Sequence, residues 1–390
     1  MRNAALMLFA LFAAGCTKSD VVGYLMHTAH RPDVTHVPIS SRENYTLLAG
    51  DLHCHVSPPD HPSHVSRDLY ETVRLAQREG LDFVVLTPHV WSRFHQSEEL
   101  RTAHLENQRI LRDAIRKQSR DVLLIAGAEY TDHEYGHVGM AFANVEEVLK
   151  ASPLEDARYN PEHFIEEWVR RGGTLVVNHP FMTPVDSIFS AARANLSWRL
   201  FIDPAAIVPG DIAAVHRLAH GYEAYNMMVS QLRDGWVLGD RAKSIWDTVN
   251  FLDKEAKRQE RRMTPVGGSD SHDSFLRATT FVLASQRTEE GIADGIRKGR
   301  TCVRDPHACT LRARSGEREV NVGGSLSNAT EVAVTAEGRE AYVFLDGKLV
   351  AKPEDGRFVS VKVDSKCSVL RAYVDRGFSA PIYVNCAWAK

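Results

Sequence analysis

Two histidines one residue apart, His53 and His55, close an apolar run in DLHCHV, residues 51–56. On a strand, residues i and i+2 share a face, so two imidazoles there can hold one cation. Taken alone, the pair reads equally well as a satisfied rim of a core. Histidines and carboxylates recur, however, where other apolar runs end. Asp60 and His61 follow a few residues on; His89 comes after FVVLTP, Glu129 after LLIAGA, His137 in YGHVGM, His179 after GTLVVN, and Asp270 and His272 after TPVGGS. Packing does not explain this repetition, because unpaired polar groups at a core cost free energy. The joint pattern points to a metal site. Imidazole mixed with carboxylate, without cysteine, suits Zn, Mn or Fe(II). Clustered cations acidify bound water, clamp an anionic oxygen and stabilise a departing group, so the expected chemistry is hydrolysis by a metal-bound hydroxide. No Ser/His/Asp or Cys/His arrangement competes, and Gly267-Gly268 lacks the Lys and Ser of a phosphate loop. Cys54 alternates to the opposite face and reads as packing.

The elements that must carry these residues follow one rhythm. Strand candidates at 47–52, 83–86, 122–128, 137–142, 174–177, 222–225 and 265–268 alternate with amphipathic stretches at 67–79, 98–118, 161–171 and 240–262. This is the pattern of a parallel α/β fold, and the number of units fits a β/α barrel better than an open sheet, although spacing does not exclude the latter. In a barrel these side chains converge on the C-terminal rim. After Pro306 the pattern changes to short alternating strands, with Asp346-Gly347 as a two-residue hairpin turn, and a small β-sandwich is expected there.

These residues resemble the polymerase and histidinol phosphatase (PHP) domain, and within it an exported, carbaryl-hydrolase-like branch. The matching motifs are DLHCH (51–55) with Asp60 five residues on, GLDFVVLTPH (80–89), AGAEY (126–130), EYGHVGM (134–140), GGTLVVNHPF (172–181), GYEAYN (221–226) and VGGSDSHD (266–273). IRKGRTCV (296–303) resembles the closing element, and the resemblance covers about 47–305. It implies a distorted (β/α)7 TIM-like barrel over 43–305, and it does not bear on the β-sandwich that the strand pattern predicts at 306–390. It also implies up to three divalent ions on His53, His55, Asp60, His89, Glu129, His137, His179, Asp270 and His272. Glu129 resembles the carboxylate that bridges two ions, Glu129 and Asp270 are the carboxylates assigned to catalysis, and His61 is a spare ligand. One departure stands out: Pro88 precedes His89 where the family commonly has Asp, so an orienting hydrogen bond to His89 is expected to be missing. The leading expectation is a phosphoesterase. A carbamate, carboxylic ester or amide hydrolase on the same centre is the alternative, and a non-catalytic binding lipoprotein is a second.

Arg277 and Arg300 are candidates for holding a substrate phosphate or carboxylate; pairing with a local carboxylate is the other reading. Tyr225 and Asn226 either line the pocket or cap the strand. Lys plus Arg number 47 against 50 Asp plus Glu, so no global basic field gathers nucleic acid, and a small-molecule or phosphoester substrate is expected. MRNAALMLFALFAAGC, residues 1–16, reads as an export signal too short to span a bilayer, which takes roughly 20 apolar residues. Ala-Ala-Gly-Cys resembles a lipobox, with Cys16 lipidated, 17–42 a tether, and an outer-membrane lipoprotein facing the periplasm or cell surface as the outcome; ordinary cleavage is the alternative. The last four cysteines, Cys302, Cys309, Cys367 and Cys386, are free to pair in an exported chain, in a connectivity that sequence does not give.

Overall fold

The computed structural model describes residues 26, 29–34, 37, 44–118, 121–153, 157–182, 196–234, 242–364 and 366–389. The signal segment, Cys16 and most of the tether lie outside the described residues. Eleven strands precede residue 305 among those described: β1 (Thr46–Cys54), β2 (Phe83–Leu86), β3 (His89–Trp91), β4 (Leu123–Ala126), β5 (Ala128–Asp132), β6 (Gly136–Ala141), β7 (Thr174–Val177), β8 (Gly221–Asn226), β9 (Thr264–Gly268), β10 (Thr280–Ala284) and β11 (Thr301–Val303). Helices lie between many of them, giving a mixed α/β architecture. Their starts are chemically marked: Asp68 accepts from Glu71 N at the head of helix Leu69–Arg78, and Ser244 and Thr288 cap the helices Ile245–Gln259 and Glu289–Arg297 in the same way.

The strands divide between two sheets. One runs β4-β2-β1-β10-β11 and continues into the C-terminal region; the other runs β3-β5-β6-β7-β8-β9. Pairing is parallel for β1/β2, β2/β4, β3/β5, β7/β8 and β8/β9. It is antiparallel on both sides of β6, which departs from the all-parallel rhythm read in the sequence. The reason is local: β5 and β6 are joined only by residues 133–135, too short for a crossover, so they form a hairpin. The candidate at 122–128 breaks into β4 and the start of β5 at Gly127, whose close packing against the Met140 carbonyl leaves no room for a side chain.

The two sheets meet where β1 reaches the loop after β9. Cys54 and Ser271 form a parallel bridge, Asp270 N donates to His53 O at 2.8 Å and His55 N to Ser271 O at 3.0 Å. The pairing of β1 with β2 shifts between Asp51 and Cys54. Before the shift, Leu48 and Leu52 face an apolar cluster with Phe83, Val85 and Val266, while Ala49 faces the cluster on the other side. After it, the even-numbered Cys54 joins Ala49's side. The irregularity therefore turns His53 and His55 to the face that Leu48 began, as bulges beside functional sites do.

Beyond Pro306, strands Arg312–Ser315, Arg318–Asn321, Glu331–Thr335 and Val359–Lys362 make an antiparallel four-stranded sheet. The remaining strands extend the first sheet, because Gly377–Ser379 pairs with β11 through Cys302↔Ser379 and Val303↔Phe378. Asp346 and Gly347, at φ 50° and 78°, close the hairpin between Ala341–Leu345 and Lys348–Ala351. The four late cysteines pair as Cys302–Cys309 and Cys367–Cys386. A buried ion pair, Arg371 Nε to Asp253 Oδ2 at 3.1 Å, ties strand Ser368–Val374 of the extended first sheet to helix Ile245–Gln259. Arg371→Ala leaves Asp253 buried and uncompensated, and the expected loss is about 3–5 kcal/mol. Urea unfolding checks it: the Asp253→Leu/Arg371→Met double variant should be less destabilised than Arg371→Ala, and equal losses would contradict this.

Candidate metal centre

Strand ends from both sheets deliver one buried cluster. His53 Nε2 lies 3.1 Å from Glu129 Oε1 and 3.5 Å from Asp270 Oδ1. His55 Nε2 lies 3.2 Å from His53 Nε2, 3.6 Å from Asp270 Oδ1 and 3.8 Å from Glu129 Oε2. His179 Nε2 is 3.6 Å from Glu129 Oε1, and the His272 ring stacks on His55 at 4.1 Å. Three sets have their donor atoms within 4.8 Å of one another: His53, Glu129 and His179; His53, His55 and Asp270; and His55, His89 and His272.

A second row fixes how the imidazoles point. His53 Nδ1 faces Glu223 Oε1 and His55 Nδ1 faces Asp60 Oδ2, both at 3.1 Å. His179 Nδ1 donates to Leu196 O at 2.7 Å and His272 Nδ1 to Asp270 O at 2.9 Å. With the ring hydrogen committed outward, each Nε2 offers its lone pair to the shared space, as metal-binding histidines do. Asn178 Nδ2 donates to Glu129 Oε1 at 2.9 Å, and Asn226 Nδ2 donates to Glu223 Oε2 and Asp270 Oδ2.

Backbone strain supports the same reading. His179 and Asp270 are non-glycine residues at positive φ, 27° and 53°, a region that L side chains adopt only when the surroundings hold them there. The surroundings are visible: His179 N donates to Glu223 Oε2 at 2.7 Å, and Asp270 N is bound to His53 O. At Gly268 any side chain would collide with the Glu223 carboxylate and His53 Cβ, so glycine lets β9 pass this close.

The cluster is electrostatically tight. Burial alone would disfavour the His53 imidazolium, but Asp270, Glu129 and Glu223 outweigh it and hold the group well above the usual range. His55 is raised in the same way to about 9, against burial, by Asp270 and Asp60. Burial pushes Glu129 and Asp270 up, yet the surrounding imidazoles keep both carboxyls well below their ordinary range. The site gathers negative charge that takes up protons when no other cation neutralises it. His137 differs: burial lowers it to about 4, its Nδ1 faces Glu129 Oε1 at 3.2 Å, and its Nε2 is buried with no hydrogen-bond partner.

Eight of the nine residues foreseen as ligands place a ring nitrogen or carboxylate within the cluster or against Glu129. Asp60 stands one step out, with Oδ2 on His55 and Oδ1 accepting from His89 N at 3.0 Å. His61 turns to solvent and bonds Ser63, whereas His64 brings Nε2 to 3.2 Å from His89 Nε2. The orienting bond expected to be missing at Pro88 is replaced, since His89 Nδ1 meets Thr131 Oγ1 at 2.9 Å and Glu129 Oε2 at 3.0 Å. Arg277 pairs with Glu79 at 3.0 Å and Arg300 with Asp294 at 2.6 Å, so both arginines match their local-carboxylate reading rather than the substrate one. Asn226 both lines the cluster and caps helix Met227–Asp234 through Val229 N. Glu223, Asn178 and His64 went unsingled in the sequence. Glu223 and Asn178 sit inside motifs that were quoted, GYEAYN and GGTLVVNHPF, and alternation along β8 was the available signal for Glu223.

No protein-family model matches the chain, and no curated protein matches it. Similar solved structures include a two-domain protein containing a predicted PHP-like metal-dependent phosphoesterase from Bacteroides vulgatus, 18% identical over 89% of this chain and 95% of that one, at a TM-score of 0.44. PsfC from Pseudomonas syringae is 15% identical over 64% of this chain and 87% of its own, at 0.37. The lesion-specific endonuclease PfuEndoQ from Pyrococcus furiosus is 14% identical over 65% of this chain, at 0.37, and the match spans 56% of the endonuclease. At TM-scores this low the likenesses bear no weight, and the donor geometry stands without them.

Cys54, between the two histidines, is a buried thiol beside Arg67 Nη2 at 2.9 Å, and burial pushes it up to about 12. In a soluble form truncated to lack residues 1–16, Ellman's reagent at pH 8 should detect no reactive thiol until denaturant is added, and then one per chain. A thiol that reacts in the native state would contradict the packing role.

Proposed function

We propose that the chain is a metal-dependent hydrolase of the PHP type acting on phosphate esters, with its ions held by the histidine–carboxylate cluster. One observation carries the reading. The Nε2 atoms of His53 and His55 face each other at 3.2 Å while each Nδ1 is committed to a carboxylate, so two lone pairs share a space that a cation suits. The three donor sets would then hold up to three ions of Zn, Mn or Fe. His64 is in place to add a nitrogen to the set of His55, His89 and His272. When bound, such ions acidify water and offset charge on a phosphate oxygen.

The chain's own groups do the rest. Glu223 and Asp60 hold the tautomers of His53 and His55, and Asn178 orients Glu129. The Glu129 carboxylate faces two of the donor nitrogens, with Oε1 3.1 Å from His53 Nε2 and Oε2 3.8 Å from His55 Nε2, which suits the bridging role. Asp270 Oδ1 lies between His53 and His55, and we keep Glu129 and Asp270 as the catalytic carboxylates. We read the ring β1, β2/β3, β4/β5, β6, β7, β8, β9 as a distorted barrel of seven units, closed by the Cys54–Ser271 bridge. The export signal and lipidation at Cys16 also stand as proposals, carried by residues 1–16 alone.

Metal analysis of the mature chain should find divalent ions, and phosphomonoesters or phosphodiesters, nucleic-acid ends included, should turn over until chelator is added. Only trace metal would overturn the reading; turnover confined to carbamates or carboxylic esters would move the bond. His53→Ala and His55→Ala should each lower kcat/KM by about 10³-fold or more, the several kcal/mol of charge stabilisation a metal supplies. Glu223→Gln should weaken metal affinity by about 10–100-fold. His64→Ala should bind one ion fewer by mass spectrometry, and full stoichiometry would exclude it as a ligand. Cys16→Ala should release the protein from membranes, and unchanged association would contradict lipidation.

A further inference from the structure

Beside the cluster opens a cavity of about 550 Å³ whose lining includes Trp91, Arg93, Thr131, His133, Tyr135 and Arg158. Its inner wall touches the cluster at three points. Thr131 Oγ1 bonds His89 Nδ1, Trp91 stacks on the His89 ring at 5.3 Å and 21°, and the His133 ring lies 5.7 Å from that of His137. An ester held at the cluster therefore has this cavity as the adjoining space for the group it carries.

Two arginines, Arg93 and Arg158, and two carboxylates, Asp132 and Glu134, line the cavity, and Glu134 is hydrogen-bonded with the Tyr135 hydroxyl. Arg158 is neutralised by Asp132 at 2.9 Å and, at 3.9 Å, by Asp211. Arg93 is exposed, lies 5.4 Å over the Trp91 ring and makes no ion pair among the described residues. A guanidinium over an aromatic ring engages it with its face and keeps its edge of N–H donors available. That edge matches a carboxylate or phosphate in bidentate geometry. The flat Trp91 and Tyr135 rings supply apolar walls for a planar body between the two charged ends.

We infer that Arg93 is a specificity-determining residue that takes a second anionic group, carried on the leaving-group side of the substrate beyond the bond cut at the histidine cluster. The inference rests on the phosphoesterase reading for the word leaving group; the binding itself does not.

Calorimetry on the metal-loaded full chain tests the binding, with 4-hydroxybenzoate and 4-hydroxyphenylphosphonate as carboxylate and phosphonate probes and phenol as the uncharged reference. The charged probes should bind at least about tenfold more tightly than phenol. In Arg93→Ala, with unchanged metal content, the preference should fall to within about twofold, and Arg93→Lys should restore part of it. Whichever probe keeps the larger Arg93-dependent gain identifies the anion. In kinetics, the ratio of kcat/KM for 4-carboxyphenyl phosphate over phenyl phosphate should collapse in Arg93→Ala. A preference absent from the wild type, or persisting in Arg93→Ala because the anion sits on the metals, overturns the inference. If no phosphate ester is cleaved while the calorimetric preference stands and needs Arg93, the phosphoesterase reading falls and the anion subsite remains.

Discussion

The structure depends on one electrostatic crowding. Imidazole nitrogens with outward-committed hydrogens and the carboxylates of Glu129 and Asp270 are packed into a space from which water is largely excluded. Lone pairs and negative charge at this density repel one another, and the repulsion is stronger where burial removes solvent screening. The same crowding raises the proton affinities of His53 and His55. Divalent cations relieve it, because one ion accepts several lone pairs at once.

The backbone is shaped to sustain that crowding. A register shift in β1 turns His53 and His55 inward after Leu48 and Leu52 have already used the same face. The segment after β9 is hydrogen-bonded against them, which brings Asp270 and His272 to the same point. His179 and Asp270 sit at positive φ, and Glu223 spans both ends of the arrangement by bonding His53 Nδ1 and the His179 amide. Strain of this kind persists where neighbouring bonds over-determine it.

Much of this was legible in the residues. The strand ends that carry the donors, the packing role of Cys54 and the turn at Asp346-Gly347 followed from alternation and turn chemistry. What was not legible depends on events that periodicity does not encode. The shift between Asp51 and Cys54 breaks strict alternation, and the reversal of β6 comes from a short turn. Second-row groups such as Glu223 and Asn178 look like ordinary strand residues until the strands are side by side. That His64, not His61, comes beside His89 depends on the path of the loop after β1. The first sheet continues through β11 into the C-terminal strands, a pairing between segments far apart in sequence that composition does not announce.

The outer wall extends the same logic from ions to substrate. Trp91 stands between His89 and Arg93, so the element that positions a donor also begins the neighbouring cavity. The central claim is that the Nε2 atoms of His53 and His55 and the oxygens of Glu129 and Asp270 converge on divalent cations. Anomalous diffraction from crystals grown with Mn or Zn tests it most directly. The account predicts peaks about 2.0–2.3 Å from His53 Nε2, His55 Nε2 and a Glu129 oxygen. An empty cluster in metal-loaded crystals, or peaks bonded to Nδ1 atoms in place of Nε2, would contradict it.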